Sequence, residues 1–184
     1  MAVSEVAGVT RWGWTVSRYE KAAELGLFGP EPKVELIEGE VFDVAAMLPP
    51  HASATRRIRS RLARLDNGWT VGGQDPVRLG DISEPEPDVW VAKGGEDQYR
   101  KRHPTQADLA LAVEVADSTL RFDRDIKIPM YAAHGVPEVW LVSIPDRTVT
   151  CYTEPAGRTY QAQATISEGS VEFAGVEIPL EKLF

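Results

Sequence analysis

The sequence predicts an α/β fold in which a mixed central β-sheet is flanked by helices, with an extra N-terminal helix and β-hairpins. This prediction rests on strand-like and helix-like segments that alternate along the chain. Short apolar runs bounded by turn residues predict the strands, and apolar residues at helical spacing predict the helices. The chain has 184 residues, which suits one domain over residues 1–184, with residues 1–14 as an N-terminal extension.

The first elements are a helix, a hairpin and a second helix. "TVSRYEKAAELGLFGPEP" predicts a helix that ends in a Gly-Pro loop. "VELIEGEVFDV" predicts a β-hairpin that turns at Glu38-Gly39. "HASATRRIRSRLARL" predicts a helix, because Ile58, Leu62 and Leu65 recur at i, i+4 and i+7. "WTVGGQ", "DPVRLG" and "PEPDVWVA" then predict short strands, and "GGEDQYRKRHPTQAD" predicts a loop or a short helix.

The run "LALAVEV" predicts a central strand that is buried on both faces. Glu114 is the one charged residue within it. Side chains of a strand alternate between its two faces. One face therefore carries Leu109, Leu111, Val113 and Val115, and the other carries Ala110, Ala112, Glu114 and Ala116.

Pro129 constrains the next helix, because proline is tolerated only in a first helical turn. We expect the helix to begin near Asp125, with Asp123 or Asp125 as its cap, and to run to His134. "PEVWLVSI" predicts a further strand, and "TVTCYTE" with "TYQAQATI" predicts a hairpin. The tail "IPLEKLF" predicts a last turn.

The composition is that of an ordinary globular protein, with 43% hydrophobic and 26% charged residues. No apolar run approaches the roughly 20 residues of a membrane span, and the N-terminal residues lack the pattern of a secretory signal. The single cysteine, Cys151, cannot form an internal disulfide. Together these features predict a cytoplasmic protein.

The charge is segregated along the chain. The net charge of −8 opposes nucleic-acid binding on average, so such binding needs a local basic patch. The second predicted helix supplies a patch without any acid. The alternative is that its arginines only solvate the helix or pair with acids elsewhere. The candidate phosphate-binding residues are Arg56, Arg57, Arg59, Arg61 and Arg64.

A buried carboxylate such as that of Glu114 needs a cation, because burial of an unpaired charge costs several kcal/mol (roughly) or forces neutralisation. Asp88 immediately precedes the strand "VWV", and if that strand neighbours "LALAVEV" the two acids converge on one divalent metal. Mg²⁺ prefers such oxygen ligands, and the carbonyl of Val115 is a further candidate. Lys127 is expected near the positive end of the helix dipole, which lowers the pKa of a catalytic lysine. Tyr131 lies at i+4 from this lysine and so shares its face of the helix.

The segments "PEPD", "VEVADSTLRFDRDIK" and "YAAHGVPEVWLV" resemble the core of the bacterial Uma family. The resemblance covers roughly residues 15–184 and includes "VELIEGEV", "PPH" and "LEKLF" in the same order. That family belongs to the PD-(D/E)xK restriction-endonuclease-like superfamily. The resemblance therefore implies a restriction-endonuclease-like fold and metal-dependent nuclease chemistry.

The family's functional positions carry over individually. Asp88 matches the aspartate of the PD motif, and Glu114 matches the acid of the (D/E)xK motif. Where the motif lysine usually stands, this chain has Ala116, and Lys127 on the following helix matches the position from which the family supplies its lysine. Glu35 matches an acid that the family carries near the site, as a further metal ligand or a water-positioning group.

Structural explanations stand beside these assignments. Asp88 could cap a turn after a proline, Glu114 could form a structural salt bridge, and Lys127 could pair with an acid on the surface. Glu35 could equally be a solvent-facing hairpin residue. His51 is expected to cap its helix or to lie in a loop rather than at the site. No His/Cys spacing indicates a zinc site.

The sequence thus predicts an endonuclease that uses Mg²⁺ (or Mn²⁺) to hydrolyse phosphodiester bonds of nucleic acid, most plausibly DNA. The alternative is a nucleic-acid-binding or interaction protein that retains the fold with weak or no turnover. A homodimer is predicted from exposed sheet edges and from Trp12 and Trp14, which have little local sequence to bury them.

Overall fold

The computed structural model describes residues 12–30, 33–44, 47–66 and 68–184. Most of the predicted N-terminal extension, residues 1–11, lies outside this part. The α-helices are α1 (Val16–Glu24), α2 (Pro49–Leu62), α3 (Leu120–Phe122) and α4 (Ile128–Ala133). The strands are β1 (Val34–Ile37), β2 (Glu40–Asp43), β3 (Trp69–Gly72), β4 (Val89–Lys93), β5 (Leu109–Ala116), β6 (Glu138–Ser143), β7 (Thr148–Ala156), β8 (Thr159–Ile166), β9 (Ser170–Phe173) and β10 (Val176–Pro179). Short 3₁₀ helices span Glu96–Tyr99 and Leu180–Lys182.

A six-stranded mixed sheet forms the centre, in the order β3-β4-β5-β6-β7-β8. Of the described strands in this sheet, only β5 and β6 pair in parallel, and the chain crosses between them through α3 and α4. Every residue of β5 is buried, which confirms the predicted central strand. Because β4 pairs with β5, the acid before β4 reaches the neighbourhood of the acid on β5. The predicted α/β architecture with a mixed central sheet is confirmed.

The two faces of the sheet hold separate apolar clusters. Helix α2 and the β9–β10 hairpin cover one face, and the helical crossover α3–α4 covers the other. The predicted alternation of β5 holds from Leu111 onward, but Leu109 and Ala110 pack on the faces opposite to those predicted. The cause is a register shift between Val91 and Ala92, which adds one residue to β5 opposite β4.

The crossover helix begins at Leu120 rather than near Asp125, so its predicted start was wrong. It contains a π turn, Asp123–Lys127, in which Ile128 donates its backbone N–H to the carbonyl of Asp123. Pro129 has no N–H to donate and cannot follow a regular α-helical turn without strain. The wider π turn lies directly before Pro129, so helical residues can precede the proline. π turns of this kind occur often at functional sites.

Two local predictions have opposite outcomes. The hairpin turns at Glu38 and Gly39, whose φ angles of 49° and 82° give the mirror-image turn that suits a two-residue hairpin. "DPVRLG" was predicted to be a strand and is instead a loop with isolated bridges, because its backbone N–H groups donate to scattered carbonyls of Ser83, Pro85 and Pro104. Within the described residues, no helix is both long and apolar enough to traverse a bilayer.

Candidate active site

Three charged side chains from different elements meet beneath the hairpin. Glu114 projects from β5, Glu35 from β1 and Lys127 from the π turn. The Nζ atom of Lys127 lies 2.8 Å from Oε2 of Glu35 and 3.3 Å from Oε1 of Glu114. All three residues are at least 96% buried, with exposures of 3%, 3% and 4% for Glu35, Glu114 and Lys127. A surface role for Lys127 and a solvent-facing Glu35 are therefore excluded by the structure.

Local structure explains why these side chains point inward. Glu35 and Ile37 alternate with Leu36 along β1, and Ile37 joins the apolar cluster on the same sheet face as Ala112 and Ala116 of β5. These alanines flank Glu114 and leave room for the helical crossover to pack closely. Within the π turn, the two end residues are buried, and the three residues between them are exposed.

Tyr131 is a second residue of the helical crossover that contacts Glu114. Its hydroxyl donates a hydrogen bond to Oε1 of Glu114 at 2.6 Å. Burial and the adjacent carboxylate raise the pKa of this tyrosine well above its ordinary value, so the hydroxyl remains a donor. The spacing of four residues from Lys127 indicated a shared helix face, but the sequence did not assign Tyr131 to the site. The imidazole of His134, at the end of the crossover, lies against the carbonyl of Met130.

Asp88 lies immediately before β4, at the position that continues the pairing of Val89 with Val113 and so stands opposite Glu114. Its Oδ2 accepts the backbone N–H of Val115 at 2.8 Å and lies 3.1 Å from Nε2 of His51. Asp88 therefore joins β5 to the start of α2. The alternative that Asp88 only caps its own turn does not account for these contacts, because both partners lie on other elements.

His51 belongs to the site, contrary to the expected capping or loop role. It is the third residue of α2 and lines the same cavity as Asp88 and Glu114. Burial lowers the pKa of its imidazole, but the hydrogen bond and charge of Asp88 outweigh this effect and raise the pKa above its usual value. Its Nδ1 atom is buried and has no hydrogen-bond partner among the residues that the structure describes. The motif "PPH" was the only sequence signal, and it belonged to the resemblance rather than to any local rule.

A cavity of about 620 Å³ opens above these residues. Its floor is acidic, and burial raises the pKa of two further carboxyls on its wall. The pKa of Asp123 rises to about 6, and that of Glu86 rises to about 7. Asp123 also accepts a hydrogen bond from the hydroxyl of Thr119 at 2.6 Å. An acidic enclosed site of this kind favours a cation.

The electrostatics of Lys127 differ from the sequence prediction. Burial opposes its charge, but the carboxylates of Glu114, Glu35 and Asp123 outweigh burial and raise its pKa above the ordinary value. The expected lowering by the helix dipole was wrong, because the lysine lies in the middle of the helical crossover and not in its first turn. For Glu114 burial is the dominant effect, and it raises the pKa of this carboxyl well above its usual range. The lysine thus acts as a fixed positive charge.

The donor set of the site fits a hard divalent cation. Asp88, Glu114 and Val115 line one cavity, and carboxylate and carbonyl oxygens are ligands that Mg²⁺ prefers. Among residues 12–30, 33–44, 47–66 and 68–184, no three His, Cys, Asp or Glu side chains are grouped closely enough to enclose an ion. Mg²⁺ does not need such a cage, since it commonly binds one or two carboxylates together with water and phosphate oxygens.

Four of the five arginines lie on α2, whose third residue, His51, lines the cavity, and Arg64 follows the end of this helix. Four are exposed and Arg61 is half-buried. Arg57 donates to the backbone carbonyl of Lys182. In the part of the chain that the structure describes, none of the five forms an ion pair with an acid. They remain available for contact with phosphate.

The six-stranded mixed sheet with its flanking helices agrees with the restriction-endonuclease-like fold that the sequence predicted. The chain belongs to the Uma2 family, described as "Putative restriction endonuclease", whose model matches residues 16–181. The crystal structure of a protein described as a "putative nuclease belonging to DUF820", from Anabaena variabilis, is similar in fold. It has a TM-score of 0.69 and 17% identity, with 93% of this chain and 97% of that chain covered. No functionally curated protein matches the chain.

Proposed function

We propose that this protein is a Mg²⁺-dependent endonuclease that hydrolyses phosphodiester bonds of DNA. One observation carries the proposal. Glu114 of β5 and Lys127 of the π turn are in direct contact at the floor of a cavity that Asp88 also lines. Two acids and one amine that converge in this way are suited to metal-assisted phosphoryl chemistry.

Each side chain has a distinct role in this proposal. Asp88 and Glu114 hold the metal, with the carbonyl of Val115 as a further ligand; Mn²⁺ could replace Mg²⁺. When bound, the ion would lower the pKa of water and neutralise negative charge on the phosphate. Lys127, protonated and fixed by Glu35, stabilises the negative charge that develops on the phosphate and orients the attacking water. Tyr131 fixes the carboxylate of Glu114 through its hydrogen bond.

The arginines of α2 would bind the DNA backbone outside the cavity. Such contacts give affinity that does not depend on sequence and falls as salt rises. Removal of one phosphate contact is expected to lower the salt slope by about one unit. Arg56→Ala and Arg59→Ala test this contribution, since both residues are exposed and neither forms an ion pair in the described chain.

We also propose that the protein acts in the cytoplasm as a homodimer. Trp12 is 65% exposed and stacks edge-on against Trp14, with ring centroids 5.3 Å apart. This aromatic pair offers an apolar surface for a second copy. Light scattering during size-exclusion chromatography measures the mass directly, and Trp12→Ser is expected to shift it toward the monomer.

The deciding experiment is cleavage of plasmid DNA with Mg²⁺ and with chelator. Asp88→Asn and Glu114→Gln retain side-chain volume and are expected to reduce cleavage by at least ~100-fold, the order of loss when one electrostatic catalytic group is removed. Glu138→Gln is the matched control, because Glu138 is a half-buried carboxylate on β6 that does not line the cavity. Activity that survives both site substitutions rules the site out.

A second candidate function also has structural support. Lys127 is already neutralised by two carboxylates, and Glu114 is held by both Lys127 and Tyr131. A closed network of this kind suits a nucleic-acid-binding or interaction protein that keeps the fold without turnover. Titration of DNA at several salt concentrations separates the candidates: salt-sensitive binding without Mg²⁺-dependent cleavage supports the binding protein.

A further inference from the structure

We propose that the cavity admits one unpaired nucleotide, so that the substrate is single-stranded or locally unpaired DNA rather than intact duplex. This inference rests on the proposed nuclease function and names the substrate that its site accepts. The observations behind it are the depth of the charged floor and the apolar, partly aromatic wall above that floor.

The reactive groups lie within a cavity and are nearly inaccessible from the protein surface. The side chains of Glu114 and Lys127 are only 4% and 5% exposed, and both line the cavity of about 620 Å³. A volume of this size falls within the roughly 300–1,000 Å³ of pockets that enclose a small ligand. A base can enter a pocket of this kind only when it is single-stranded or has been turned out of the helix.

The wall carries the aromatic surface that an unpaired base needs. Phe42 from β2 and Phe122 from α3 both line the cavity, with ring centroids 5.1 Å apart and ring planes inclined by 59°. Both rings are half-buried, so each keeps some surface free. Stacking on such rings is available to any unpaired base but not to a base that remains stacked between its neighbours.

Exposed apolar residues gather at the rim of the same cavity. Of the seven large apolar side chains that are exposed in the described residues, three line this one cavity: Val44, Met47 and Leu48. Isolated exposed apolar residues are ordinary, but a group beside a polar floor marks a ligand-binding surface. A nucleotide matches this division, because its phosphate is charged and the faces of its base are apolar.

The test uses one labelled DNA sequence as a single strand, as a blunt duplex and as a duplex with an unpaired bulge. Fluorescence anisotropy with the full chain in Ca²⁺ measures binding, and parallel reactions in Mg²⁺ measure cleavage. The single strand and the bulged duplex are expected to bind at least ~10-fold more tightly than the blunt duplex. Phe42→Leu and Phe122→Leu are expected to weaken single-strand binding by roughly 10-fold each, the effect of losing one stacking contact.

Matched variants separate stacking from stability. Phe184→Leu alters a half-buried phenylalanine outside the cavity and is expected to bind like the wild type. Phe122→Tyr keeps the ring and is expected to retain single-strand affinity even if Phe122→Leu folds poorly. Equal binding of single strand and blunt duplex, or wild-type affinity in both cavity leucine variants, overturns the inference. Absence of cleavage with the binding preference intact refutes the nuclease function alone.

Discussion

Replacement of Lys127 by methionine tests whether the buried charges form one coupled network. The substitution keeps an unbranched side chain of similar length but leaves Glu35 and Glu114, at 2.8 Å and 3.3 Å from the lost amine, without a cation. Removal of one partner from a buried ion pair costs about 3–5 kcal/mol, because the remaining charge is desolvated and unpaired. A domain of this size has a free energy of unfolding of roughly 5–15 kcal/mol, so Lys127→Met is expected to lie near the limit of folding.

The loss is expected to depend on pH. Burial already raises the pKa of Glu114 in the folded state above its unfolded value, and loss of the lysine raises it further. A carboxyl whose folded pKa is raised contributes stability at low pH and loses it as pH rises through the folded pKa. Lys127→Met should therefore be less destabilised at about pH 5 than at about pH 7.5 in urea unfolding followed by tryptophan fluorescence. Lys21→Met, at an exposed Lys21–Glu24 pair, is the control and should leave stability unchanged. A loss below about 1 kcal/mol for Lys127→Met would refute the buried network.

Three other substitutions probe separate features of the fold. Asp123→Asn removes a group whose pKa rises to about 6, so the wild type should lose about 1.4 kcal/mol of stability relative to this variant between about pH 5 and pH 8, as measured by urea unfolding. Tyr131→Phe removes the donor to Glu114 and should cost about 1–3 kcal/mol at neutral pH; an unchanged unfolding midpoint would contradict the 2.6 Å hydrogen bond. Gly39→Ala places a Cβ 3.3 Å from the carbonyl oxygen of Trp14 at a φ of 82° and should cost about 1–2 kcal/mol in thermal unfolding, whereas wild-type stability would show that the turn relaxes.

Local rules predicted the elements whose signals are local. The first hairpin has a glycine at its turn, and β5 has an apolar run that is interrupted only by Glu114, so both follow from the sequence. The hairpin of β9 and β10 was not identified, although its apolar residues alternate. Its turn places Ala174 at a φ of 48° beside Gly175, and alanine is not a residue that signals a left-handed turn. The early start of the crossover helix was missed because a π turn, which single-sequence patterns do not reveal, accommodates the proline.

The candidate site was predicted in part. The buried position of Glu114 follows from strand alternation, and the meeting of Asp88 with β5 follows once β4 is its neighbour. The contact between Glu35 and Lys127 joins residues 92 positions apart and depends on how the hairpin packs over the crossover. His51 was assigned to a cap because its place at the start of a helix fits that role equally well. Such long-range contacts are decided by tertiary packing, which no local pattern contains.

The close packing of the crossover on β5 explains why the lysine of the site comes from a helix and not from the strand. Ala116, where the related motif carries its lysine, belongs to the same buried cluster as Ile128 and Tyr131 of α4. A lysine there would need the space that this helix occupies, so the amine has to arrive from the helix itself. The π turn makes this possible, because it buries both Asp123 and Lys127 while the residues between them face solvent. The alanine on the strand and the lysine on the helix are therefore two parts of one packing solution.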